Sequence, residues 1–178
     1  MINTIKQLKH KNRKTQQEFY KKFSVRLFRV AYRYVNNEQD AGSIVNIGFY
    51  NIFQNMDGFT YTNDEMLMAW MKKIIVNEAL AVLRKKHKYI NIDEVDYEIS
   101  QNGYHTDNNL AAEEYYRMIQ NLPSNLRTVF NLYAIEGYSH SEIAYKLGIE
   151  ESSSRVYLMR ARKSLQESLS PKLNYYEK

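Results

Sequence analysis

Cysteine is absent from the 178 residues, which excludes disulfides, thiolate zinc sites and cysteine nucleophiles and removes any need for an oxidising compartment. Proline occurs 2 times and glycine 6 times, too rarely for the frequent turns of an all-β chain, so long helices are expected. No stretch approaches the roughly 20 apolar residues of a membrane span. The basic start (Lys6, Lys9, Lys11, Arg13, Lys14) is followed by no apolar block, so it reads as neither signal peptide nor anchor, and a cytoplasmic location is expected. The histidines (His10, His87, His105, His140) stand far apart without ligand spacing, and no glycine-rich phosphate loop or G-x-S-x-G elbow occurs. Asp93, Glu94, Asp96 and Glu98 lack the spacing and turn glycine of a calcium loop. An enzyme is therefore not expected, nor a metal, a cofactor or a small-molecule substrate.

Charge is distributed unevenly. Residues 1–88 carry 16 Lys/Arg against 7 Asp/Glu, residues 89–110 carry none against 5, and residues 111–178 carry 9 against 8. The first segment suits a polyanion and the middle one does not. Hydrophobic residues at 44% and charged residues at 25% place the chain in the globular range.

Apolar spacing predicts helices at about 16–35, 38–55 and 65–86, separated by Asn36-Asn37 and by a loop holding Asp57-Gly58, with Asn63 or Asp64 as a cap. The second carries Ala41, Ile44, Val45, Phe49, Ile52 and Phe53 as a continuous apolar stripe. From Tyr89 to Asn109 the helical period is lost and acids accumulate. Further helices are expected at 110–121 and 124–135, broken at Leu122-Pro123. Ser139-His140-Ser141-Glu142 is a capping-box pattern opening a short helix, Gly148 suits a left-handed helix end, and a last helix follows at 152–168. The expected fold is all-α: two small helical modules joined by a flexible acidic linker. Residues 1–15 form a basic N-terminal extension, 16–88 the first module, 89–110 the linker, 111–170 a helix-turn-helix module, and 171–178 a tail.

A helix-turn-helix lays its second helix in the DNA major groove. Ser153, Arg155, Tyr157, Arg160 and Lys163 on the last helix are the expected contacts, Arg155 to a base edge and the later cations to phosphates. In the first module Lys72, Lys73, Asn77 and Arg84 are expected to share the face opposite Trp70 and contact DNA, with Phe59 and Tyr61 stacking on an exposed base.

From about Phe19 to Leu169 the chain resembles the extracytoplasmic-function sigma factors of the sigma-70 family. The segments Leu122-Pro123-Ser124-Asn125-Leu126-Arg127-Thr128-Val129-Phe130, Glu136-Gly137-Tyr138-Ser139-His140-Ser141-Glu142-Ile143-Ala144 and Arg160-Ala161-Arg162-Lys163 resemble region 4, which reads the −35 promoter element. Trp70, Val76-Asn77, Ala79 and Leu83-Arg84 are similar to region 2, which melts the −10 element. The resemblance implies promoter DNA and bacterial core RNA polymerase as partners. Members are often held inactive by a membrane-bound anti-sigma factor, a further implied partner. The family usually follows Asp-Ala with an acidic turn that docks on the polymerase clamp. Here Asp40-Ala41 continues as Gly42-Ser43-Ile44-Val45-Asn46-Ile47-Gly48, so the docking surface implied at Asp40, Ser43, Asn46, Ile47 and Phe49 is a weakly charged one. The alternative is a helix-turn-helix regulator that binds DNA without core polymerase.

The abrupt loss of helical period beside the acidic run makes one expectation testable at once. Limited proteolysis of the full chain should cut first within residues 89–110, read by mass spectrometry of the early fragments. First cleavage inside residues 16–86 would contradict the two-module layout.

Overall fold

The computed structural model describes residues 1–87 and 110–176. The acidic linker expected at 89–110 lies outside the described residues apart from its last position. The described residues fall into two compact units, one on each side of that linker, and among them no strand occurs.

The first unit contains α1 (Ile2–Lys9), α2 (Arg13–Val35), α3 (Glu38–Gln54), a 3-10 turn (Met56–Gly58) and α4 (Asp64–His87). Asparagines punctuate it. Asn12 Oδ1 accepts from the Thr15 amide at 3.0 Å and opens α2. Asn36 ends α2 in the left-handed region (φ 51°), and Asn37 opens α3 by accepting from the Asp40 amide at 3.0 Å. Asn63, of the two candidate caps, accepts from the Met66 amide at 2.8 Å and opens α4. Short polar side chains that pair with otherwise orphan amides are what makes these boundaries sharp.

α2, α3 and α4 pack mutually around Leu27, Ala31, Tyr34, Ile44, Ile52, Leu67, Met71 and Ile75, all buried. One end of this core is aromatic: the Phe19 ring lies 4.7 Å from Phe23, 6.2 Å from Phe53 and 6.5 Å from Phe49. α3 and α4 approach closely because Gly48 faces Ile75, whose Cδ1 occupies the space a Cβ would take.

The N-terminal segment, expected only as a basic extension, forms α1. Its Ile5 and Leu8 are buried, it packs against α2 and the 3-10 turn, and Lys9 Nζ donates to the Asp57 carbonyl at 3.1 Å. Lys11 takes a left-handed conformation (φ 55°) that turns the chain into α2.

The second unit contains α5 (Leu110–Gln120), α6 (Ser124–Phe130), a π turn (Asn131–Ile135), α7 (His140–Leu147) and α8 (Glu151–Tyr176). The single helix expected over 124–135 thus ends in a wider turn. That turn brings the Leu132 carbonyl to the Tyr138 amide at 3.0 Å and hands the chain through Gly137 (φ 79°) to α7. The buried apolar residues are Leu122, Val129, Leu132, Ile143, Leu158 and Ala161, accompanied by Gln120, Arg127, Thr128, Asn131 and Ser154. In so small and polar a core, hydrogen bonds carry placement. Arg127 Nη1 donates to the carbonyls of Gln120 at 2.9 Å and Leu122 at 2.8 Å, tying α6 to the carbonyl end of α5, where cations are favoured.

The glycines of α3 give opposite expectations. A Cβ at Gly42 meets nothing within 4 Å, so Gly42→Ala should raise stability by about 0.5–1 kcal/mol through helix propensity. Gly48→Val forces Ile75 aside in a filled core and should lower it by about 1–3 kcal/mol. Urea denaturation of both variants checks this; a tolerated Gly48→Val would contradict the close α3–α4 contact.

Candidate nucleic-acid interface

In the second unit, α7 and α8 are set by their ends. Glu142 Oε2 accepts from the Ser139 amide at 2.8 Å, while Ser139 Oγ accepts from the Glu142 amide at 3.3 Å, completing the box expected from sequence. Gly148 is left-handed (φ 67°), and the Gly148 and Ile149 amides donate back to the Ala144 carbonyl at 2.9 and 3.1 Å. The seam then closes on Ile143 of α7 and on Ser154, Leu158 and Ala161 of α8, all buried.

At about 100° per residue, this seam leaves Ser152, Val156, Met159 and Lys163 on the opposite line of α8. All four are exposed, Met159 at 63% and Val156 at 39%. Of the contacts expected from sequence, Arg155, Arg160 and Lys163 are exposed, whereas Ser153 and Tyr157 are half-buried at the edge of the seam. Arg155 pairs with Glu151 one turn earlier, and Lys163 Nζ lies 3.9 Å from Glu167. Exposed pairs of this kind are worth about 0.2–1 kcal/mol, so the cations release readily to a stronger anion. Charge patterning in the sequence does not mark Val156 and Met159. The spacing from Leu158 and Ala161 does.

His140 joins the two helices. Its Nδ1 and Ser154 Oγ are hydrogen-bonded at 2.9 Å, with the donor set by the imidazole tautomer, and its ring stacks on Tyr133 at 4.6 Å. The Arg162 guanidinium lies 5.7 Å from the same Tyr133 ring. Burial, then the positive charges of Arg155 and Arg162, hold the imidazole below its ordinary pKa against the opposing effect of Glu151.

In the first unit, Lys73, Asn77 and Arg84 of α4 are each exposed, but at about 100° per residue they stand on the same side of the helix as Trp70 rather than opposite it, and Leu80, between Asn77 and Arg84 on that side, is buried. Lys72 is half-buried about a quarter turn away. The preceding loop is less open than its sequence suggests. Phe59 stacks on Trp70 with centroids 4.4 Å apart, so one ring face is already covered. The Tyr61 hydroxyl donates to Asp64 Oδ1 at 2.6 Å, and that bond, then burial and the Asp64 charge, raises its pKa.

The other expected surface lies on α3. Ser43, Asn46 and Ile47 are exposed, and so is Tyr50, at 63%, outside the surface expected from sequence. Asn46 Oδ1 accepts from the Tyr20 hydroxyl at 3.1 Å, and Tyr20 in turn lies over Phe49 at 4.5 Å. Phe49 is itself buried and supports the surface from beneath. Asp40 is held by Lys86 Nζ at 2.7 Å, which ties the start of α3 to the end of α4. The exposed line of α3 therefore carries no charge.

Comparison with known proteins matches residues 19–89 to the sigma-70 region 2 family and residues 112–165 to the sigma-70 region 4 family. RNA polymerase sigma factor SigV of Bacillus subtilis is 27% identical over 143 residues, covering 80% of this chain and 84% of that protein. The extracytoplasmic-function RNA polymerase sigma-E factor of Escherichia coli K12 is 24% identical over 145 residues, covering 74% and 75%. Among solved structures, the sigma factor RpoE in complex with the anti-sigma factor NepR from Bartonella quintana shares the fold. Its TM-score is 0.50 at 21% identity, covering 86% of this chain and 98% of that one.

The His140 environment gives a pH dependence. Its native pKa is depressed below the ordinary 6.5, so as pH falls through that value the unfolded chain takes up a proton that the native chain refuses, and stability falls. Above it both states are neutral and the effect vanishes. Urea denaturation between about pH 7.5 and 5.5 should show this loss, and His140→Gln should flatten the slope. An unchanged slope in the variant would show that His140 does not govern it.

Proposed function

The chain belongs to the sigma-70 family, in its extracytoplasmic-function branch, and from that membership we propose that it works in the cytoplasm as a sigma factor with two reading heads. The first unit opens the −10 element and the second reads the −35 element. Its partners are promoter DNA and core RNA polymerase, which supplies the chemistry, so the factor itself needs no catalytic site. The complex of the Bartonella relative with an anti-sigma factor supports a similar antagonist here.

The observation that carries this reading is the exposed face of α8, presented by a capped helix and a glycine turn and bordered by Arg155, Arg160 and Lys163. Such a face places a guanidinium near a base edge while later cations neutralise phosphates. The exposed Lys73, Asn77 and Arg84 on one side of α4 support a second DNA contact, with Asn77 able to pair with a base and the cations with the backbone. Phe59, stacked on Trp70 through one face, and Tyr61, bonded to Asp64, are the rings offered to an exposed base.

The uncharged line of α3 makes docking on polymerase weak. A carboxylate there would add hydrogen bonds to basic clamp residues, each worth about 1.5–3 kcal/mol. Gly42→Glu combined with Ser43→Asp should therefore tighten binding to core polymerase by about tenfold or more in a fluorescence titration. If neither form binds, the polymerase-free regulator becomes the better reading.

Arg155→Ala should cost about 1–3 kcal/mol on the best site and relax preference at one base pair. Lys163→Ala should weaken all sequences alike and lower the salt slope by about 1. Titrations over single-base variants at two salt concentrations separate the two; a uniform loss for Arg155→Ala would remove it from base reading.

A further inference from the structure

We propose that Val156 and Met159 read thymine 5-methyl groups in the upstream promoter element, so that part of this protein's sequence preference is apolar. The inference rests on α8 being the DNA-reading helix and adds what its centre recognises. Val156 and Met159 occupy the middle of the line opposite the buried Ser154, Leu158 and Ala161, and are exposed at 39% and 63%. Single exposed apolar residues need no explanation. These two are adjacent on the helix surface, three positions apart, with side chains about 5–6 Å from one another.

Their neighbours decide the kind of partner. Ser152 and Lys163 extend the same line, while Arg155 and Arg160 are exposed on its two flanks. Cations on both sides of an apolar centre fit the major groove: Arg160 can reach a phosphate rim, Arg155 a base edge, and the apolar centre an apolar group on the floor. The major groove offers one such group, the thymine C5 methyl, which also distinguishes A·T from T·A by position. A 5–6 Å separation corresponds to one or two base-pair steps of about 3.4 Å, so the two side chains address neighbouring pairs. Val156, stiff at its branched Cβ, suits one fixed position; Met159, unbranched, adapts to its neighbour.

The experiment uses the full chain and a pool of random duplexes. Sequences retained by the wild type are identified, and the best duplex is resynthesised with deoxyuridine replacing each thymidine in turn, which deletes one methyl and leaves base pairing intact. Wild-type affinity should fall about fourfold at one or two positions, the factor expected for burying one methyl-sized group. Val156→Ser and Met159→Gln should each lose that sensitivity at a different position. Both residues are exposed, and an unchanged melting temperature confirms that the variants fold. Deoxyuridine that is neutral at every position, or variants as sensitive as the wild type, would overturn methyl reading while leaving α8 a DNA reader. A pool that yields no common sequence would overturn both, and would point to a protein as the occupant of this face.

Discussion

The left-handed turn at Gly148 and the hydrogen bond between His140 and Ser154 decide which side of α8 faces outward. With Gly148 at φ 67°, α8 leaves the turn with Ser154, Leu158 and Ala161 against Ile143. A side chain at 148 would be strained there. Because Ser154 is fully buried, its hydroxyl needs a partner, and His140 supplies one at 2.9 Å. The rotation of α8 is therefore set from within, and every outward residue follows from it: Val156 and Met159 in the centre, Arg155 and Arg160 on the flanks. The small apolar core of this unit could not specify that rotation as sharply without the polar contacts.

The first unit uses the opposite means. Its helices are long, its core is large and aromatic at one end, and the intimate contact of Gly48 with Ile75 holds α3 against α4. Surface chemistry can then vary with little effect on the fold. α3 presents Ser43, Asn46, Ile47 and Tyr50 where the family usually presents carboxylates, while Asp40 is held by Lys86. On the proposed reading of α3 as the docking face, its lack of charge trades electrostatic steering for apolar contact, which lowers on-rate and salt dependence together.

Much of this was legible in the sequence because the boundaries depend on local chemistry. Asn36-Asn37, Asn63, Ser139 with Glu142, and Gly148 each act within a few residues of themselves, and each stands where the pattern placed it. What the sequence hid depends on partners distant along the chain. α1 was masked by its lysines, although Ile5 and Leu8 bury against the 3-10 turn. Nothing local says that Trp70 covers Phe59, that Lys86 reaches Asp40, or that a π turn interrupts the helix after Phe130. Val156 and Met159 are hidden for a different reason: charge marks only their flanking neighbours, and the outward face of α8 follows only from its buried seam.

Two reading heads on one chain have a functional meaning only if core polymerase uses both. The most direct measurement is single-round transcription by purified core polymerase on fragments of the source genome, with and without this protein, mapping the 5′ ends of the RNA. Discrete start sites that appear only with the protein, each preceded by a shared pair of upstream elements, are the expected result. Duplex binding by the protein without any new start site would contradict a sigma factor.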